Sequence, residues 1–189
     1  TLTEASRRHC ALTVTANVRP QDTGPDLHYI FAPLKRTRLD YMVQKAAELG
    51  VSALRPVISR RTIAERVNLE RMRANAIEAA EQCGILHVPG VMETERFERM
   101  LDAWDGSRRL IFCDEGAEVA SPIAVLSKVK PGPLAVMIGP EGGFDDSERQ
   151  LLLSKPFTTA ISLGPRIMRA DTAAVAALAL VNAVLGDWR

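Results

Sequence analysis

Apolar residues recur along this chain with two different periods, and the change from one to the other marks the elements. Leu134-Ala135-Val136-Met137-Ile138 is an uninterrupted apolar run ending at Gly139-Pro140, which predicts a strand buried on both faces. Tyr29 to Ala32, Leu54 to Ile58 (interrupted by Pro56), Leu110 to Cys113 and Thr158 to Leu163 read as further strands, with Val88 to Met92 as a short edge piece. Between them, Leu39, Met42, Val43, Ala46 and Leu49 keep helical spacing up to a C-cap at Gly50. Leu69, Met72, Ala76, Ile77, Ala80 and Cys83 do the same between a cap at Asn68 and a stop at Gly84. Thr94 is placed to cap a helix carrying Phe97, Met100, Leu101 and Trp104. Shorter helical pieces follow at 123–128 and from Asp146 or Ser147 to Leu153, and a last helix over 171–185 is capped by Asp171 or Thr172. Strands that alternate with helices and show no internal repeat predict an α/β domain with a parallel-rich sheet covered on both faces. Residues 1–33 lack this rhythm: Leu12 to Thr15 is strand-like and 19–26 has loop chemistry.

Composition narrows the class without choosing a function. At 189 residues, 47% apolar and 25% charged, the chain can bury one sizeable core. The apolar stretch from Thr172 to Leu185 is too short to span a bilayer, and residues 1–10 carry no signal-peptide pattern, so a cytoplasmic protein without membrane association is expected. Cys10, Cys83 and Cys113 are far apart and form no CxxC or Cys/His pattern, and no metal is expected. Net charge is only +1 but unevenly spread: residues 1–73 carry 13 Lys+Arg against 7 Asp+Glu, and residues 74–154 carry 7 against 14. A basic N-terminal part suits a phosphate-backbone partner, and solvated helix faces would account for it equally well.

Two loops carry the candidate chemistry. Gly139, Gly142 and Gly143 let backbone come close to a ligand, in a pattern that is neither G-x-G-x-x-G nor a Walker loop. Without more, a tight structural turn explains them at least as well. Glu141 in that turn suits hydrogen bonding or a proton transfer, or merely braces the loop; Glu148 behind it is better explained as a helix-capping carboxylate. Arg169, just ahead of the last helix, suits bidentate contact with phosphate or a base oxygen, with a salt bridge to Asp171 or Glu141 as the competing role.

Gly139-Pro140-Glu141-Gly142-Gly143-Phe144 with Glu148, followed by Leu163-Gly164-x-Arg166-Ile167-x-Arg169-x-x-Thr172-Ala173, resembles the RsmE family of 16S ribosomal RNA (uracil-N3)-methyltransferases, in the SPOUT superfamily. Gln44 to Val51 and Glu78 to Gly84 are similar to two further stretches of that family, and the likeness runs from about Leu34 to Arg189. The resemblance implies a SPOUT-type domain over 34–189 with a C-terminal trefoil knot and a homodimer, preceded over 1–33 by the remnant of a PUA-like β-barrel RNA-binding domain and a linker.

It further implies that Ile138, Gly139, Pro140, Glu141, Gly142, Gly143, Leu163, Gly164, Arg166, Ile167, Met168, Thr172 and Ala173 hold S-adenosyl-L-methionine, without metal. Arg169 and Glu141 become the catalytic candidates; Arg61-Thr62 matches an Arg-Ser pair of the family, and Lys35, Arg36, Arg38, Arg60, Arg61 and Gln82 are the candidate RNA contacts, with a solvated loop at 60–61 and a cap on its own helix end for Gln82 as the competing roles. Met168 and Ala170-Asp171 stand where the family more often has Leu and Thr-Glu, and Ile85 follows Gly84 where arginine is frequent. The implied reaction methylates N3 of a uridine in 16S ribosomal RNA of the small ribosomal subunit, releasing S-adenosyl-L-homocysteine. Another SPOUT RNA methyltransferase activity, or a non-catalytic RNA-binding or ribosome-assembly module, are the alternatives.

Overall fold

The computed structural model describes residues 1–64, 66–118 and 120–188; Arg189, the end of the expected domain, lies outside the described residues. The elements run β1 (Leu2–Ala5), β2 (Cys10–Leu12), β3 (Leu27–Phe31), α1 (Arg36–Glu48), β4 (Ala53–Ile58), α2 (Leu69–Cys83), β5 (Gly90–Val91), β6 (Glu95–Arg96), α3 (Phe97–Asp102), β7 (Arg109–Cys113), α4 (Pro122–Leu126), β8 (Leu134–Ile138), α5 (Asp146–Ser154), β9 (Thr158–Ile161) and α6 (Ala170–Val184). β1 and β2 form a separate antiparallel pair. The other strands build a sheet in the order β5-β4-β3-β8-β7-β9, with β6 also on β4, and every pairing in it is parallel.

Period-two alternation along β8 divides the core. Leu134, Val136 and Ile138 face a cluster with Tyr29, Phe31, Leu54 and residues of α1 and α6; Ala135 and Met137 face the other side, with Phe97, Met100, Leu110, Phe112 and Leu152. The sheet is therefore covered on both faces, as the uninterrupted apolar run requires. α6 is fastened to α1 from within: Asn182 is fully buried and its Nδ2 donates to the Leu49 carbonyl at 2.7 Å.

Several boundaries differ from those expected. The strand expected at 12–15 lies at Cys10–Leu12, because Leu12 already pairs with Leu2 and the partner strand offers little beyond. β3 begins at Leu27 between β4 and β8, so the sheet takes in residues ahead of the expected boundary at 33/34. Thr94 does not cap α3: Glu95 and Arg96 are held extended against Val57 and Ile58, and the helix starts only after them, with Arg96 at the N-cap. Asn68 does cap α2, accepting from the Arg71 N–H at 2.9 Å, and Gly84 closes it in the left-handed conformation at φ +65°. The buried stripe of α2 is Met72, Ala76, Ala79 and Ala80; Ile77, one step of about 100° from Ala76, is turned outward and 45% exposed, and Cys83 is exposed too. α6 begins at Ala170 after an extended Arg169, so Asp171 lies inside the first turn, where its charge favours the helix, and is not the cap.

His28 of β3 gives the sheet a pH dependence. Burial, then Arg108 and Arg55, push its imidazole from 6.5 down to about 4, against a weaker pull from Asp26, whose Oδ1 is 3.7 Å away. Above 6.5 the ring is neutral in both folded and unfolded chains; as pH falls from 6.5 toward 4 the unfolded chain binds the proton first and stability declines. Denaturation midpoints should therefore drop between about pH 7.5 and about pH 5.5, and His28→Gln should flatten that slope. Equal slopes in the two proteins would remove His28 from the account.

Candidate active site

A cavity of about 390 Å³ opens where β7, β8 and β9 end, at the carboxyl edge of the sheet. Three segments wall it: Phe112 to Glu115 after β7, Ile138 to Phe144 after β8, and Ser162 to Ala173 running from β9 into α6. In parallel α/β sheets ligand sites collect at this edge, because helices cover both faces and only the strand ends open outward.

The loop after β8 is shaped by its glycines. A Cβ on Gly139 would meet the Phe144 ring at 2.7 and 2.9 Å, so the missing side chain lets the loop fold back over that ring. Phe144 in turn packs edge-on against Phe112 at 5.4 Å and tilted against Phe97 at 5.8 Å, anchoring the loop to the core. Gly143 takes φ +70°, which a glycine adopts without strain, and its N–H donates to the Pro140 carbonyl at 2.9 Å to close the turn.

Polar contacts fix the rest of that wall. Arg38 from α1 pairs with Glu141, and Arg61 Nη1 donates to the Gly142 carbonyl at 3.0 Å. Asp145 caps α5, accepting from the Ser147 N–H at 3.0 Å, and Glu148 reaches back to the Asp145 N–H, completing a capping box. The Ser147 hydroxyl and N–H hold the Asp145 carboxyl below the usual carboxylate range. Glu148 is buried because it also serves the turn after β4, where it accepts from the Arg60 N–H at 2.9 Å. Arg60 also donates to Ser147 Oγ at 2.7 Å and Asp145 Oδ1 at 3.1 Å. Across the cavity, buried Asp114 receives a bidentate Arg149, at 2.9 Å from Nε and 2.8 Å from Nη2.

Of the expected cofactor residues, Ile138, Gly139, Pro140, Glu141, Gly143, Leu163, Gly164, Arg166, Ile167, Met168 and Ala173 line the cavity. Gly142 and Thr172 do not: the Gly142 carbonyl is taken by Arg61, and Thr172 lies within the first turn of α6, exposed. Arg169 lines the mouth, exposed, and among the described residues forms no salt bridge with Asp171 or Glu141. The competing role for Arg169 is therefore not filled, since Glu141 is engaged by Arg38. Arg38, Arg60 and Arg61 converge on the loop, and Lys35 and Arg36 are exposed at the start of α1. Gln82, exposed near the end of α2, makes no hydrogen bond to the loop among the described residues.

The wall after β7 lies outside the residues expected from sequence. Asp114 and Glu115 follow an apolar strand and precede Gly116, the same strand-then-turn grammar that marks residues 134–143, and that was the available signal. Burial pushes the Cys113 thiol up to about 12, so it stays protonated and adds a weakly polar wall and no nucleophile. Among the described residues no group of three or more His, Cys, Asp or Glu is gathered closely enough to hold a metal ion.

A family model of an RNA methyltransferase domain matches residues 22–182. The ribosomal RNA small subunit methyltransferase E of Rickettsia conorii is 28% identical over 182 residues, covering 96% of this chain and 74% of that relative. Its namesake from Bacillus subtilis is 31% identical, over 78% of this chain and 62% of its own length. The structure of ribosomal RNA small subunit methyltransferase E from Neisseria gonorrhoeae, bound to S-adenosyl methionine, superposes with a TM-score of 0.75 at 32% identity, covering 87% of this chain and 68% of that one. The chain belongs to the RsmE family. A methyltransferase of Legionella pneumophila, solved with the cofactor SAM bound, superposes with a TM-score of 0.74 at 30% identity, over 87% of this chain and 68% of its own.

Within this RsmE-family chain the glycines of the loop are not equivalent. Gly139→Ala should destabilise by ~1–3 kcal/mol, the usual cost of forcing an extra carbon into packed surroundings. Gly142→Ala, whose new Cβ meets only the Arg61 side chain at 3.9 Å, should stay within about 0.5 kcal/mol of the parent. Denaturant titration of both variants checks the contrast, and equal midpoints would mean that Phe144 yields without cost.

Proposed function

We propose that this chain transfers the methyl group of S-adenosyl-L-methionine to N3 of a uridine in 16S ribosomal RNA of the small ribosomal subunit. The observation that carries this reading is the cavity at the carboxyl edge of β7, β8 and β9, built from both loops that bear the RsmE motifs. Its chemistry fits the cofactor. Ile138, Leu163 and Met168 offer apolar walls for an adenine, and Glu115 and Glu141 offer carboxylates for ribose hydroxyls and for a sulfonium charge. When bound, the cofactor supplies a methyl group already activated by that sulfonium.

The chain's own residues then have three roles. They hold the base in line with the methyl group, which converts a chance encounter into an oriented one. They stabilise the negative charge that spreads to O2 and O4 as N3 loses its proton, for which the exposed guanidinium of Arg169 at the cavity mouth is suited. They also accept a base taken out of any pairing, because N3 lies on the Watson–Crick edge. Glu141, oriented by Arg38, is assigned to the cofactor or substrate side of the loop.

The same reading includes a C-terminal trefoil knot. Its support is the chain path: from β9 at the sheet edge the chain passes the 139–144 loop along the cavity wall, and α6 packs on α1, α4 and β8 at the sheet's middle. A homodimer and a cytoplasmic setting belong to the same reading, as does assignment of the residues ahead of β3 to the remnant of a PUA-like RNA-binding domain and a linker, which the separate β1–β2 pair supports, while residues 27–31 belong to the main sheet.

Incubation of small-subunit ribosomal RNA or intact subunits with labelled S-adenosyl-L-methionine should yield 3-methyluridine on nucleoside analysis. Label on another base or on ribose would favour a different SPOUT activity, and no transfer despite RNA binding would favour a non-catalytic module. Arg169→Ala should slow single-turnover transfer by ~10²-fold or more, the scale seen when one preorganised charge-stabilising donor is lost. Cofactor affinity should hardly change, and Arg169→Lys should recover only part of the rate, since an ammonium cannot reproduce the planar fork. Near-normal transfer by the alanine variant at saturating cofactor would withdraw the catalytic assignment.

A further inference from the structure

Three basic residues whose sequence pattern suits RNA contact spend their contacts in this structure on the loop beside the cavity. Arg38 pairs with the Glu141 carboxylate, and Arg61 Nη1 donates to the Gly142 carbonyl at 3.0 Å. Arg60 holds the following residues through Asp145, Ser147 and Glu148. Arg38 comes from α1 and the Arg60–Arg61 pair from the turn after β4, so two segments far apart in sequence grip one loop. Each grip uses only part of a guanidinium. Arg38 and Arg61 each present one Nη to the loop and, among the described residues, no other hydrogen bond of either guanidinium is formed. Both side chains remain open to solvent, Arg38 at 38%.

We propose that Arg38 and Arg61 are positioning residues that couple RNA engagement to cofactor binding, by holding the 139–144 loop with one edge of the guanidinium while the other edge takes RNA phosphates. This deepens the methyltransferase reading and rests on it. A guanidinium presents five donors in a fixed planar fork, so it can serve a carboxylate or carbonyl on one side and a phosphate on the other. Left alone, an exposed arginine holds its partner weakly, because ordering a long side chain offsets much of the attraction. A phosphate on the outer edge removes that freedom in advance, and the loop is then already ordered when the cofactor arrives. Binding of one ligand lowers the ordering cost of the other, and the coupling is reciprocal.

The arrangement separates this role from plain electrostatic attraction. Lys35, exposed at the N-cap of α1, adds positive charge to the same region, yet none of its side-chain contacts reaches the loop among the described residues. Removing Lys35 should weaken RNA binding alone, whereas removing Arg38 or Arg61 should weaken both ligands and the link between them.

The test is calorimetric titration of S-adenosyl-L-homocysteine into the full chain, with and without a saturating uridine-containing single-stranded RNA. The parent chain should bind the cofactor product more tightly with RNA present, by roughly 5-fold or more, the lower end of common coupling factors. Arg38→Ala and Arg61→Ala should each bind it more weakly without RNA and lose the RNA-dependent gain, with unchanged melting temperatures. Lys35→Ala should keep both the RNA-free affinity and the gain once RNA is saturating. Arg38→Lys should restore RNA-free affinity in part and the coupling little, since an ammonium lacks a second edge. Unchanged RNA-free affinity and an intact gain in both alanine variants would overturn the tether. A parent chain that binds no cofactor product at all would instead overturn the methyltransferase reading beneath it.

Discussion

The five residues of β8 lie buried throughout, with β3 on one side, β7 on the other and apolar clusters on both faces. A strand so placed must satisfy its backbone through two parallel neighbours and its side chains through two separate cores, and it meets water only at its ends. Its carboxyl end is where the chain leaves the sheet, and the turn it makes there has to pack its first residue beneath Phe144. Gly139 is thus tied to the burial of β8 as much as to any ligand. The position of the cavity follows from the same constraint: β7, β8 and β9 end on one edge because all of them run parallel.

Charge segregation along the chain acquires a structural meaning from this arrangement. The surplus of Lys and Arg before residue 74 and of Asp and Glu after it is partly consumed inside the molecule, where Arg38, Arg60 and Arg61 meet Glu141, Asp145, Glu148 and the Gly142 carbonyl across the mouth of the site. Arg55 and Glu95 repeat the pattern between β4 and β6 at 2.8 Å. The pairs that stay partly open to solvent, Arg38–Glu141 and Arg60–Asp145, contribute little to stability one at a time. Their value lies in placement: buried Glu148 joins the α5 cap to the turn after β4, so the loop is fixed at its far end by a well-satisfied carboxylate and at its near end by Phe144.

What was legible in the sequence was what is encoded locally. β8, the cap and stop of α2, and the two glycine loops follow from periods, turn residues and capping side chains within a few positions of one another. What was not legible depends on partners far along the chain. Residues 95–96 look like the entry to a helix, and only pairing with β4, nearly forty residues earlier, keeps them extended. Leu27 and His28 look like the tail of a loop until β4 and β8 enclose them. Ile77 matches a broad helical stripe, but the face α2 turns inward is narrow and built of alanines and Met72, which lets α2 lie close to α1. The motif resemblance located two walls of the cavity; the third, at Asp114 and Glu115, has the same strand-then-turn pattern in sequence, and only the order of strands brings it to the same site.

The walls differ in how firmly they are held, and the difference bears on what each can do. Residues 139–148 are fixed by aromatic packing, three arginines and a capping box. Residues 163–169 are held differently: Leu163 and Met168 pack against the core, Ser162 Oγ accepts from the Gly164 N–H at 3.3 Å, Gly164 turns the chain at φ +106°, and Ile167 beyond it is 88% exposed. Ile167 stands between Arg166 and Arg169 on this wall, a large apolar side chain left open to solvent beside two guanidiniums at the cavity. The site therefore joins a wall whose polar groups are held by protein partners, where orientation is set before binding, to one whose guanidiniums at Arg166 and Arg169 form no hydrogen bond or ion pair among the described residues and leave their charge open at the cavity.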